Sequence, residues 1–146
     1  MNLHKRLALT LGAAALLGLT AAGASAQTMI KATFTLPTAA YWNNNLLQPG
    51  DYNLSLDKTN TGVELVYLRG EGVNAVFFTP AGSDDSSGHS CLKLEDVNGT
   101  YVIRQFDEGP IGRSYTFDVP KAVRNQTLRG AVAPPVTVMV SAAAGM

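Results

Sequence analysis

The stretch Leu92 to Phe106, LKLEDVNGTYVIRQF, decides the fold class. At its centre stands Asn98-Gly99, the dipeptide best able to supply positive φ at both middle positions of a type I′ turn. Apolar and polar residues alternate on either side, so the stretch reads as a β-hairpin with a two-residue loop. In that register Val97 faces Thr100, Leu94 faces Ile103 and Leu92 faces Gln105. Leu92, Leu94, Tyr101 and Ile103 then share one apolar face. The other face carries Lys93, Glu95, Val102, Arg104 and Phe106, a mixture that predicts partial cover.

The same period of two runs through the flanking chain. Ile30, Ala32, Phe34 and Leu36 alternate with Lys31, Thr33 and Thr35, and Tyr52, Leu54 and Leu56 alternate with Asn53, Ser55 and Asp57. Each reads as a strand with one buried face. Gln48-Pro49-Gly50-Asp51 carries proline and glycine at the central positions of a type II turn, and a second turn is expected at Asp57 to Gly62. Val63 to Leu68 and Val73 to Phe78 are apolar except for Glu64 and Asn74, so both are expected to be central strands covered on both faces, joined through Gly70-Glu71-Gly72. Beyond the loop Asp107 to Gly112, Tyr115, Phe117 and Val119 alternate with polar residues up to Pro120, and Lys121 to Gly130 reads as a short helical turn or irregular crossing. Val136, Val138 and Val140 mark a last strand, at an edge because Pro134-Pro135 precedes it. Seven or eight short strands without a long amphipathic helix predict an all-β fold, a single small β-sandwich or a partly open barrel.

The order Phe34, Tyr41, Leu47-Gln48-Pro49-Gly50-Asp51-Tyr52, Leu92-Lys93-Leu94, Tyr101-Val102-Ile103, Gly112-Arg113 and Pro120-Lys121 resembles small secreted β-rich proteins common in acidobacteria. Those proteins carry an LPAGxY turn followed by a YGD hairpin. Here Leu47-Gln48-Pro49-Gly50 and Val97-Asn98-Gly99 stand in the corresponding places. The resemblance spans most of residues 30 to 124 and implies an exported β domain; it rests on turn and strand signals and implies no particular chemistry.

The amino terminus carries its own address. His4, Lys5 and Arg6 precede an uncharged run from Leu7 to Ala22, and Ala24-Ser25-Ala26 supplies the small residues of a cleavage site. Residues 1–26 are therefore expected to be a helical signal peptide, 27–130 the β domain, and 131–146 an apolar edge strand or flexible tail. The product would be periplasmic or extracellular and, after cleavage, not an integral membrane protein. Cleavage would remove two of the 11 basic residues and none of the 11 acidic ones, leaving a net charge of −2. Such a balance offers no electrostatic footprint for nucleic acid. Cys91 is the single cysteine, so no intramolecular disulfide can form, and burial as an inert side chain is expected.

Chemistry-bearing residues are crowded together at Ser83 to Cys91, SDDSSGHSC, but Ser, His and Asp so close in sequence do not resemble a catalytic triad. Asp84 and Asp85 lack the ladder spacing of a calcium loop, so no catalytic residue, metal ligand or cofactor is assigned and the segment is expected to be a solvated loop. Tyr41-Trp42-Asn43-Asn44-Asn45 has two readings. An aromatic beside three amides could form a platform for a sugar ring; alternatively, Tyr41 or Trp42 plugs the end of the sandwich while the asparagines turn the chain, and the plug is the preferred expectation. The protein is accordingly expected to be noncatalytic and to act by interaction with an envelope protein or polysaccharide, the alternative being a carbohydrate or small-ligand module built on Tyr41 and Trp42.

Overall fold

The computed structural model describes residues 29–58, 64–84, 88–126 and 133–143. The signal segment 1–26, most of the turn expected at Asp57 to Gly62, and part of Ser83 to Cys91 lie outside the described residues. Two β-sheets face each other as a sandwich. Sheet 1 has five strands: β1 (Met29–Leu36), β4 (Gly50–Lys58), β5 (Glu64–Gly70), β6 (Val73–Phe78) and β12 (Ser141–Ala142), in the order β12-β1-β4-β5-β6. Sheet 2 has seven: β2 (Ala40–Trp42), β3 (Asn45–Leu47), β7 (Gly82–Ser83), β8 (Cys91–Val97), β9 (Thr100–Glu108), β10 (Arg113–Thr116) and β11 (Val136–Met139). Its main path is β11-β8-β9-β10-β7, with β2 lying parallel to β9 at residues 101–102 and β3 beside β2.

Alternation is carried into burial along β1 and β4, where Ala32, Phe34, Leu36, Tyr52, Leu54 and Leu56 all enter the core. The strands pair from Met29↔Asp57 to Leu36↔Gly50. A single helical turn, α1 (Lys121–Arg124), follows Pro120, and a 3-10 turn spans Gly109–Ile111. Val136–Met139 is an edge strand of sheet 2, and the chain then crosses at Val140 to pair Ser141 and Ala142 with Thr33 and Ala32 of sheet 1. Strand pairing thus carries the sandwich past residue 130.

Three local expectations are corrected. β5 and β6 are not covered on both faces: Leu65 and Tyr67 are half-buried, Val76 and Phe78 are exposed, and β6 is an edge rather than a central strand. An unbroken apolar run fits an exposed apolar edge as well as a two-sided core strand, and the pattern alone does not separate them. Gly50 adopts φ +146°, not the value near +80° of a type II turn. Glycine is needed there all the same, because φ +146° is a conformation that L side chains rarely adopt.

The third correction concerns the hairpin. Asn98 and Gly99 have φ +56° and +83°, as a type I′ turn requires, and Asp96 Oδ1 accepts the Gly99 N–H at 2.7 Å. Val97↔Thr100 and Leu94↔Ile103 pair as expected, but Leu92 faces Phe106 rather than Gln105. Arg104 is an extra residue, a β-bulge, and beyond it the side chains of β9 change faces. Phe106 and Glu108, outward in an unbroken strand, therefore turn inward.

Candidate functional site

Trp42 is fully excluded from solvent, with Phe34, Phe77, Phe106 and Phe117 around it at centroid distances of 5.3–6.3 Å, all edge-on. It comes from β2, and Asn43, at φ +53°, opens the turn into β3. Asn45 Nδ2 donates to the Trp42 carbonyl at 3.5 Å. Of the five residues weighed as a ligand platform, Asn44 is exposed and Tyr41, Asn43 and Asn45 are half-buried, but the Trp42 ring has no face to offer a ligand. The side chain that a sugar would stack on is the centre of the aromatic core.

A group the sequence did not single out lies where the bulge turns β9 inward. Glu64 on β5 and Glu108 on β9 are both buried, and Tyr115 of β10 stands between them, its hydroxyl hydrogen-bonded to Glu64 Oε2 and 3.3 Å from Glu108 Oε2. Arg113 Nη1 donates to Glu64 Oε1 at 2.7 Å. One hydroxyl carries one proton, so Tyr115 can donate to only one of the two carboxyls. Glu64, already paired with Arg113, takes it. Glu108 is then best served as the neutral acid, donating to the tyrosine oxygen. Burial indeed pushes the Glu108 carboxyl above its ordinary range, against the opposing pull of Lys58. Burial, with the bond to Glu64, also raises the Tyr115 phenol, which remains protonated. An opening of about 370 Å³, lined by Glu64, Arg113, Tyr115 and the Thr79–Gly82 segment, leads to this group.

On the outward side of the same hairpin, the buried Asp107 carboxylate gathers Gln105 Nε2 at 2.6 Å, Ser114 Oγ at 2.7 Å, Lys93 Nζ at 3.1 Å and Cys91 Sγ at 3.6 Å. Burial alone would raise its pKa; the hydrogen bonds from Gln105, Ser114 and Lys93 outweigh it and hold the carboxyl below its ordinary value. Cys91 is buried against this carboxylate. Each group is held by hydrogen bonds among neighbouring side chains. Among the described residues no three His, Cys, Asp or Glu side chains converge as a metal site requires, and no helix is long and apolar enough to cross a membrane.

The surface feature that stands apart is β6. Among the described residues it pairs with β5 alone, and its sequence, Val73-Asn74-Ala75-Val76-Phe77-Phe78, carries no charge. Ala75 and Phe77 point into the core, while Val76 and Phe78 are 55% and 65% exposed. Next to them on the outer face of β5 lie Tyr67 and Leu65, their cross-strand partners. An apolar strip thus borders an open edge. No family model, no curated protein and no solved structure matches the chain.

Proposed function

We propose that the protein is an exported, noncatalytic β-sandwich module of the cell envelope or extracellular space, acting by interaction through the β6 edge and the adjoining outer face of sheet 1. The observation that supports this reading is the combination on one strand of an open backbone edge, no charge, and two exposed large apolar side chains. Edge strands left to solvent are ordinarily blunted by charge, proline or brevity, because an apolar open edge recruits another strand. An envelope protein that adds a strand uses such a surface directly.

Hydrogen exchange tests the reading. Addition of a solubilised envelope-protein fraction should slow exchange at the outward amides of Val73–Phe78 and leave the opposite sheet unchanged. If neither that fraction nor isolated envelope polysaccharide alters exchange at β6, the reading fails. Intact mass of the exported product, expected to begin at Gln27, tests the export it assumes.

A further inference from the structure

The backbone of β6 determines which residues face the open edge. Thr79 N–H donates to the Glu64 carbonyl at 3.0 Å, and the register runs Leu65↔Phe78, Tyr67↔Val76 and Arg69↔Asn74. In an antiparallel ladder, bonded and non-bonded pairs alternate. Ala75 and Phe77, in phase with Thr79, therefore bond to β5, and Asn74, Val76 and Phe78 direct their N–H and C=O groups outward. The residues with exposed side chains are those with unsatisfied backbone groups.

The other sheet edges are blunted. β12 and β7 are two residues long, β3 is three, and β11 follows Pro134-Pro135. β6 offers six residues, about 20 Å of edge at roughly 3.4 Å per residue, without a charge or proline.

Resting on the interaction reading above, we infer that this edge takes a second copy of the chain: two β6 strands pair antiparallel about a two-fold axis at Val76, joining two five-stranded sheets into one of ten. The sequence is self-complementary in that register. Val76 faces Val76 of the other copy, Ala75 faces Phe77, and Asn74 faces Phe78, so each phenylalanine lies opposite a smaller side chain. The three outward residues of each copy form six reciprocal backbone hydrogen bonds across the axis. Centring on Val76 also gives the greatest overlap, from Val73 to Thr79, and an uncharged strand meets its copy without like-charge repulsion. On the outer face, Phe78 gains Asn74 and, one strand further, Arg69 of the other copy, whose guanidinium is within side-chain reach of the ring. A single strand edge of six residues is a small contact beside standard interfaces, so the dimer dissociates on dilution.

Sedimentation equilibrium of the exported protein over a concentration series should show a reversible monomer–dimer equilibrium. Val76→Lys, which sets two ammonium groups on the axis at a position already exposed, should weaken dimerisation at least tenfold with the circular dichroism unchanged. Val76→Cys should give a disulfide-linked dimer on mild oxidation, because facing Cα atoms in a bonded pair lie about 5.5 Å apart. Asn74→Cys should not, its two copies being separated by about 14 Å, four residues along the pair. A monomer at every concentration, a dimer indifferent to Val76→Lys, or cross-linking of Asn74→Cys as efficient as that of Val76→Cys overturns the inference. A monomer whose β6 amides are still protected by envelope protein overturns self-pairing and leaves the broader interaction reading intact, whereas a Val76-dependent dimer that ignores envelope material supports self-pairing and removes the broader reading.

Discussion

Trp42 and Glu108 are almost equally hidden, at 0% and 2% exposure, yet they are buried by different means. Around Trp42, edge-on aromatic rings from both sheets fill space, and the indole N–H finds no hydrogen-bond partner among the described residues. Around Glu108 the surroundings are polar, and one carboxyl oxygen, Oε1, is likewise left without a partner. In the first region hydrophobic area outweighs a single unsatisfied donor. In the second, desolvation weighs on the charged form and pushes the Glu108 carboxyl above its ordinary range. Phe106 joins the two regions, edge-on to Trp42 and stacked on Tyr115 at 5.9 Å.

The sharpest way to break the comparison is Trp42→Ala. Removing the ring at the centre of the aromatic group should cost about 3–5 kcal/mol, measured by urea denaturation; a variant of unchanged midpoint would mean that the rings pack without it. Tyr115→Phe comes next, since it keeps the stack on Phe106 but withdraws the hydroxyl from both carboxyls. Leaving buried groups unpaired should cost about 1–3 kcal/mol, and a loss below about 0.5 kcal/mol would show that the acid pair does not depend on the phenol. Gly99→Val forces a β-branched residue to positive φ outside both regions, an expected loss of about 1–2 kcal/mol. It calibrates them against a purely backbone effect.

The smallest effect is the most specific. Glu108 has a folded-state pKa above its unfolded value, so the folded protein holds the proton more tightly, and the stability gained from the neutral acid is lost as pH rises through the folded pKa. Glu108→Gln cannot ionise. Chemical denaturation at a series of pH values should therefore show the variant gaining on the wild type between the unfolded and folded pKa values of Glu108. Asp107 acts in the opposite sense: its depressed pKa gives stability present above the unfolded value and lost as pH falls through the folded one. Asp107→Asn should consequently lose its disadvantage only in acid.

Periodicity made the frame of the sandwich legible. The alternations of Ile30–Leu36 and Tyr52–Leu56 and the Asn98-Gly99 turn each state a local rule that the tertiary structure obeys. Trp42 as a plug was legible from size alone. The polar group was not, because its formation depends on Arg104, and an inserted residue leaves no mark in a pattern of period two once the faces beyond it have exchanged. Glu64 interrupted an apolar run and Glu108 bordered a Gly-Pro loop, so neither announced a partner 44 residues away in the chain. β6 was misjudged because apolar composition reports what a strand tolerates on each face, not what covers it.

The crossing of the chain from β11 to β12 has a kinetic consequence. Its final residues close both sheets at one margin, Ala142 lying against Ala32 from the first described strand. Contacts between positions so far apart require a large loop to close before they repay its entropy, the arrangement associated with slow folding. The domain thus lacks a strand in each sheet until residues 136–142 have been made. Until then the bare side of β1, whose partner at that margin is still unmade, is open to the wrong neighbour.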